Sequence, residues 1–105
     1  MAKLIGIQGP EQGKMFRIAE KAILGREQGN EILINNTRTS RKHAIIVKNG
    51  GHFHIVDLNS RNGTLVNNEV VHERLLKDND YIHIGTSVLK FIIEDANIQN
   101  TTEDA

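Results

Sequence analysis

The sequence predicts an all-β fold, an antiparallel sandwich or barrel, from three observations. Apolar residues occur in short clusters, and no window of a dozen residues keeps the i, i+3, i+4, i+7 recurrence of an amphipathic helix. Turn-forming stretches such as GPEQG, EQGN, KNGG and KDND recur roughly every 8 to 12 residues. The chain has 105 residues, of which 38% are apolar, and this length suits one hydrophobic core. Short strands at such spacing are typical of sandwiches and barrels.

Nine segments have the residue types and the alternation of β-strands. In chain order they are residues 3–8, 14–18, 22–24, 31–34, 43–48, 52–58, 63–66, 81–84 and 87–93, with shorter pairings expected at 69–71 and 75–76. In the eighth segment the alternation directs Ile82 and Ile84 inward and Tyr81 and His83 to water. Each sheet is therefore expected to bury one face only.

The polar end of the chain differs in composition from the rest. The stretch DANIQNTTEDA has no hydrophobic periodicity, which is typical of a flexible tail or the start of a linker. We therefore predict one domain over residues 1–95 and a polar tail over 96–105. Because Thr101 and Thr102 precede acidic residues, a phosphorylated tail could serve as the domain's own ligand.

Charge and cysteine content exclude several classes of protein. Lys plus Arg equal Asp plus Glu at 13 each, so the chain lacks the net positive charge typical of nucleic-acid or membrane binding, and neither partner is predicted. With no cysteine, disulfides and thiolate metal ligands are excluded, which suits a reducing compartment. No apolar run approaches the roughly 18 residues of a membrane-spanning helix. The sequence predicts a cytoplasmic protein.

Three loop stretches, LGR, TSRKH and LNSRNGT, carry concentrated polar chemistry. In a sandwich the loops cluster at the two ends, so distant loops can share one surface. If these three do so, they gather guanidinium, hydroxyl and carboxamide groups at one place, supplied by Arg26, Ser40, Arg41, Arg61 and Asn62. A phosphate monoester carries about −1.5 to −2 charges and three acceptor oxygens, which this group of donors matches.

The order of four motifs resembles the forkhead-associated (FHA) domain family. The motifs are GR (25–26), SRKHA (40–44), DLNSRNGTLVN (57–67) and LLKDNDYIHIGTSVLKF (75–91). The match spans Ile23 to Phe91, about two thirds of the chain. The resemblance implies an antiparallel β-sandwich of about eleven strands, of the SMAD/FHA-like type, whose apical loops bind phosphothreonine peptides.

The resemblance also implies roles for the phosphate ligands. Arg26 matches the family arginine that contacts the phosphate, and Ser40 matches the hydroxyl that donates to a phosphate oxygen. Arg41 occupies the next position, which reaches the phosphate or its surroundings. These three residues form the expected phosphate-binding set.

Further positions are implied to bind the peptide or to shape the loops. Asn62 matches the residue that bonds the peptide backbone, Arg61 lies beside it, and Arg38 lies where family members read the third residue after the phosphothreonine. Gly25, His43 and Gly63 are expected to hold the loops in shape.

Two turn positions depart from the family pattern. Asn68 and Asn79 stand where glycine is common. Because asparagine tolerates positive φ better than most residues, we expect both turns to form.

Other interpretations of these residues have less support. The two histidines of HFH share one strand face, but a third metal ligand cannot be identified, so no metal site is predicted. Phosphate-loop, dinucleotide and nucleophile-elbow motifs are absent, so no catalytic residue and no cofactor are predicted. We predict a phosphothreonine-binding module that recruits partners of a Ser/Thr kinase. The alternative is a phosphate-independent assembly domain.

Overall fold

The computed structural model describes residues 1–94, which form eleven strands and no helix. The strands are β1 (Ala2–Gln8), β2 (Met15–Ile18), β3 (Lys21–Gly25), β4 (Ile32–Leu33), β5 (Ala44–Asn49), β6 (His52–Asp57), β7 (Thr64–Val66), β8 (Glu69–Val71), β9 (Glu73–Leu75), β10 (Tyr81–Ile84) and β11 (Ser87–Ile93). The predicted all-β sandwich is confirmed. Within residues 1–94 there is no helix long and apolar enough to cross a membrane. The predicted tail with Thr101 and Thr102 lies outside the described residues.

The strands form two sheets. One has six strands in the order β2-β1-β11-β10-β7-β8, and the other has five in the order β4-β3-β5-β6-β9. The structure differs from the predicted antiparallel pairing at β3 and β4, which pair in parallel. The Glu31 carboxylate accepts the Ile23 N–H at 2.8 Å, and the Ile34 N–H donates to the Gly25 carbonyl at 2.8 Å. These bonds hold β4 beside β3, with the two strands running in the same direction.

The core lies between the inward faces of the two sheets. Ile82 and Ile84 are fully buried, as predicted, while Tyr81 is 38% exposed. Phe53 from one sheet and Phe91 from the other meet edge to face, with ring centroids 5.7 Å apart. Each fully buried side chain of this size contributes roughly 1.5 to 3 kcal/mol, so the shared core holds the sheets together.

Asparagines occupy two of the tight turns in the left-handed region. Asn68 has φ 71° and Asn79 has φ 73°. The expectation that both turns form with asparagine in place of glycine is therefore confirmed. Asn67 also has a positive φ, of 51°, so the turn from β7 to β8 uses two asparagines in succession.

Several loops meet at one end of the sandwich, here called the site end: residues 9–14, 26–31, 34–43, 58–63 and 85–86. Hydrogen bonds between loops show the meeting directly. His43 Nε2 lies 2.8 Å from the Gly63 carbonyl, and Asn36 Nδ2 donates to Ser87 Oγ at 2.9 Å. The turns before β8 and β10 lie at the opposite end, because β7 and β10 run between the two ends.

Candidate anion-binding site

A cleft of about 340 Å³ opens at the site end. It is lined by Arg26, Thr37, Arg38, Thr39, Ser40, Arg41, Lys42, Arg61 and Asn62. Five of these nine side chains are cationic and none is acidic. The chain has no net charge, so this local excess of positive charge attracts an anion that the molecule as a whole would not.

Arg26 is held in the cleft by the neighbouring loop over residues 34–43. Its Nε–H donates to the Thr39 carbonyl at 2.8 Å, and its backbone N–H donates to the Ser40 carbonyl at 3.0 Å. The Nε bond leaves the two Nη groups for a ligand. An arginine fixed in this way forms bidentate bonds to an oxyanion with less loss of side-chain entropy.

Gly25 is required at its position because the backbone of a second loop passes so close. A Cβ atom there would lie 2.0 Å from the Arg41 carbonyl oxygen. Its φ is not positive, so close approach, rather than turn conformation, selects glycine. Gly63 is the opposite case, with φ 86° and open space around it. The two glycines therefore serve the site for different physical reasons.

Ser40 and His43 connect two of the loops. Ser40 Oγ accepts the Arg61 N–H at 2.9 Å, which leaves the hydroxyl hydrogen free to donate to an anion. The Ser40 N–H donates to His43 Nδ1 at 3.0 Å, so Nε2 carries the hydrogen that reaches the Gly63 carbonyl. His43 is fully buried. Its ring therefore acts as a structural bridge beneath the cleft and does not face a ligand.

The loop that carries Arg61 and Asn62 is organised by Asp57. The Asp57 carboxylate accepts Ser60 N–H at 3.0 Å, Ser60 O–H at 2.5 Å and Thr64 O–H at 2.7 Å. Partial burial by itself would raise the pKa of Asp57, but the hydrogen bonds from Ser60 and Thr64 outweigh it, and the pKa lies below its usual value. The ionised carboxylate is the form that holds the loop.

The remaining cations differ in how they are paired. Lys42 forms an ion pair with Glu27 at 3.0 Å, and the hydrogen bond from Lys42 lowers the pKa of Glu27. Arg38, Arg41 and Arg61 form no ion pair within residues 1–94. Their charge is therefore available to an anionic ligand.

Asn62 uses part of its carboxamide within the protein. Its Nδ2 donates to the Arg38 carbonyl at 2.8 Å, which connects the loop before β5 to the loop before β7. The side chain lies at the surface, and its Oδ1 has no protein donor among the hydrogen bonds of residues 1–94. That oxygen can accept a backbone N–H from a bound peptide.

The structure places all nine sequence-predicted residues at the site end. Six of them line the cleft, while Gly25, His43 and Gly63 lie in its supporting loops. Sequence reasoning missed the lining roles of Thr37, Thr39 and Lys42. They belong to the same cationic, hydroxyl-rich run as Ser40, and that run was the signal that could have included them.

No metal centre is present within the part of the chain that the structure describes. Among residues 1–94, no group of three or more histidine, aspartate or glutamate side chains is arranged to hold a metal ion. His52 and His54 lie on β6, two residues apart on one strand face, without further ligands from this set.

Comparison with protein families decides the identity of the fold. The FHA domain model matches residues 22–85, which include most of β3, all of β4 to β10 and every residue of the cleft. The chain belongs to the FHA domain family. FHA domains are binding modules for phosphothreonine peptides, and this FHA domain carries a cationic cleft where its loops meet.

Two curated relatives are similar over most of this FHA domain. The oxoglutarate dehydrogenase inhibitor of Corynebacterium jeikeium is 35% identical over 92 residues, or 87% of this chain and 64% of the relative. The glycogen accumulation regulator GarA of Mycolicibacterium smegmatis is 35% identical over 87% of this chain and 58% of its own length. The chain thus spans less than two thirds of the length of these relatives.

Solved structures share both fold and sequence with this FHA domain. One FHA domain with phosphothreonine-dependent interactions superposes with a TM-score of 0.82 at 33% identity, covering 90% of this chain and 97% of the other. EmbR of Mycobacterium tuberculosis, solved with a low-affinity phosphopeptide, has a TM-score of 0.82 at 33% identity, covering 89% of this chain and 24% of the other.

Proposed function

We propose that Arg26, Ser40 and Arg41 bind the phosphate of a phosphothreonine peptide in this cleft. The observation that carries the proposal is that two loops converge, so that the Nη groups of Arg26 and the free hydroxyl hydrogen of Ser40 share one cleft. Each charge-assisted hydrogen bond contributes about 1.5 to 3 kcal/mol. Two or three such bonds distinguish a phosphorylated peptide from an unmodified one.

The peptide itself is proposed to lie along Arg38, Arg61 and Asn62. The Asn62 Oδ1 can accept a peptide N–H, and the two arginines have no ion pair within residues 1–94. Such an arrangement holds an extended peptide beside the phosphate. Acidic side chains in the peptide would meet the free guanidinium groups of these arginines.

The biological role proposed is recruitment of proteins phosphorylated by a Ser/Thr kinase, through a domain over residues 1–95. Binding without catalysis and a cytoplasmic location form part of the proposal. Two relatives named as an enzyme inhibitor and as a regulator support a regulatory role, since such proteins act by binding others. The tail over residues 96–105 remains a proposed linker. Phosphorylated at Thr101 or Thr102, it is also a proposed ligand of the domain that precedes it.

The direct test is titration of one peptide in phosphothreonine, phosphoserine and unmodified forms by calorimetry. We expect tight binding of the first, weaker binding of the second and none of the third. The threonine γ-methyl group contributes about 0.8 kcal/mol if buried, so the difference between the first two forms should be about fourfold. Equal binding of all three forms would refute the proposal.

The matching variant is Arg26→Ala. Loss of two charge-assisted bonds predicts an affinity about 100-fold lower, or more, with the fold retained. Arg17→Ala is the control, because Arg17 is an exposed arginine paired with Glu94 away from the cleft. The alternative, a phosphate-independent assembly domain, predicts that partner binding survives Arg26→Ala unchanged.

A further inference from the structure

A buried carboxylate outside the cleft begins a chain of hydrogen bonds that ends at Arg26. Glu11, in the turn between β1 and β2, is only 1% exposed. Its Oε1 accepts Ser87 O–H at 2.5 Å, and its Oε2 accepts the Asn35 N–H at 2.7 Å. Within residues 1–94 no lysine or arginine pairs with it. Burying a carboxylate costs free energy unless its oxygens accept hydrogen bonds. The positions of Ser87 and Asn35 relative to Glu11 are therefore tightly constrained.

Asn36 continues the chain from Ser87 toward the cleft. Its Nδ2 donates to Ser87 Oγ at 2.9 Å. Its Oδ1 accepts Thr39 O–H at 2.9 Å and the Arg38 N–H at 3.0 Å. One carboxamide therefore closes the turn over residues 36–39, a common use of asparagine in loops.

Thr39 is the last step before Arg26. Thr39 is 2% exposed, and its carbonyl accepts the Arg26 Nε–H at 2.8 Å. The position of that carbonyl follows from the turn that Asn36 closes. The orientation of the guanidinium thus depends on a series of bonds that starts at Glu11, which does not line the cleft.

Two glycines lie so close to this chain of bonds that a side chain at either position would collide with it. Gly85 has φ 60°, and a Cβ there would lie 2.3 Å from Asn36 Oδ1. Gly9 has φ 98°, and a Cβ there would lie 2.8 Å from Ser87 Oγ. Two separate turns therefore pack directly on the hydrogen-bonded side chains, which fixes Asn36 and Ser87 in place.

We propose that Glu11 is a positioning residue for phosphate recognition, acting through Ser87, Asn36 and Thr39 on Arg26. This inference rests on the proposed role of Arg26. The Glu11 carboxylate fixes the loop before β5, and that loop presents the Thr39 carbonyl to the Arg26 Nε–H. Without this fixed acceptor the guanidinium would have to be ordered by the ligand, at the expense of binding free energy.

The test is Glu11→Gln, which keeps the volume but puts an N–H₂ group against either the Ser87 hydroxyl or the Asn35 N–H. We expect affinity for a phosphothreonine peptide chosen from a degenerate library to fall about three- to tenfold. NMR should show faster solvent exchange of the Arg26 Nε–H. Ser87→Ala should shift both measurements in the same direction.

The matched control is Asp80→Asn, the same chemical change at a buried carboxylate of the opposite end. Asp80 is 9% exposed and accepts the Lys77 N–H and Asn67 Nδ2–H. The Asp80→Asn variant should be less stable, while its peptide affinity and the exchange rate of its Arg26 Nε–H should be unchanged. An Arg26→Lys background, which lacks Nε, should abolish the effect of Glu11→Gln on affinity.

Each outcome decides the matter. The inference is overturned if Glu11→Gln leaves Arg26 Nε–H exchange unchanged, or weakens binding equally in the Arg26→Lys background. If the unaltered domain binds no phosphopeptide, the proposed function fails separately. The Nε–H exchange of Glu11→Gln then still decides whether Glu11 positions Arg26.

Discussion

The site end and the opposite end of the sandwich each use an aspartate to close a loop. At the site end, Asp57 accepts hydrogen bonds from Ser60 and Thr64. At the opposite end, Asp80 accepts the Lys77 N–H at 2.8 Å and Asn67 Nδ2–H at 2.9 Å. The two carboxylates do similar structural work. What differs is the side chains that the closed loops present to solvent.

The turns of the opposite end are built for backbone conformation. They contain Asn67, Asn68 and Asn79, which satisfy a positive φ. The loop over residues 58–63 also has residues at positive φ, Asn59 at 56° and Gly63 at 86°, but in addition it presents Arg61 and Asn62 next to the loop that carries Ser40. The comparison teaches that loop closure belongs to the fold, whereas function depends on which loops meet and what they expose.

The largest expected difference between the ends comes from adding one methyl group. Gly25→Ala places a Cβ 2.0 Å from the Arg41 carbonyl, so the two loops must separate and Arg26 must move. We expect destabilisation of about 1 to 3 kcal/mol and loss of measurable phosphopeptide binding. Denaturant unfolding and calorimetric titration measure the two effects.

Gly50→Ala is the control at the turn between β5 and β6. Gly50 has φ 63°, and a methyl group there would meet no other atom within 4 Å, so alanine costs about 1 to 2 kcal/mol of backbone strain alone. Peptide affinity should be unchanged. Equal loss of binding in both variants would show that stability, and not loop approach, controls the site.

The next largest difference comes from the two aspartates. Asp57→Asn replaces one accepting oxygen by a donor and should cost about 1 to 3 kcal/mol of stability. It should also weaken phosphopeptide binding severalfold, because Arg61 and Asn62 lose their fixed loop. Asp80→Asn should cost similar stability without changing affinity. Comparable affinity in the two variants would contradict the separation of the two ends.

The pH dependence of binding should distinguish protonation of the ligand phosphate from protonation of Asp57. The second pKa of a phosphate monoester is about 6, so affinity should fall as the pH is lowered through that value and the ligand loses charge. Asp57 has a folded pKa below its unfolded value of about 3.9, so its contribution to stability is full above that pH. It is lost only as the pH falls through the folded pKa.

Titration at several pH values, alongside thermal unfolding, checks this order. Binding should weaken near pH 6 while the fold and the loop held by Asp57 remain intact. If binding and unfolding changed together near pH 6, the ligand phosphate would not be the group responsible.

The smallest expected effect lies at the opposite end. Asn79→Gly relieves a non-glycine residue at φ 73°. Its stability should change by less than about 1 kcal/mol, because relief of strain is offset by the greater freedom of glycine in the unfolded chain. Affinity should not change. A measurable change in phosphopeptide affinity would show that the two ends are coupled.

Much of the fold was predictable because its signals are local. Alternation in β10 and the turn residues around it determined which side chains face the core, and β8, β10 and β11 have the predicted bounds. The parallel pairing of β3 and β4 was not predictable. It depends on contacts such as Glu31 with Ile23, eight residues apart, which leave no periodic pattern.

The cleft was predictable for a different reason. Arg26, Ser40 and Asn62 belong to motifs whose order resembles a known family, and their chemistry fits one ligand. Glu11 could not be found in this way. It lies in an ordinary polar turn, and its link to Ser87 joins positions 76 residues apart.

The sequence by itself determined the strands, the turns and the chemical character of the cationic loops, because alternation and turn preference act between near neighbours in the chain. Only the tertiary structure decided that the Arg41 carbonyl excludes a side chain at Gly25 and that Glu11 reaches Arg26 through three residues. Such contacts depend on how two sheets pack and which loops they bring together, and packing joins residues whose separation along the chain carries no signal.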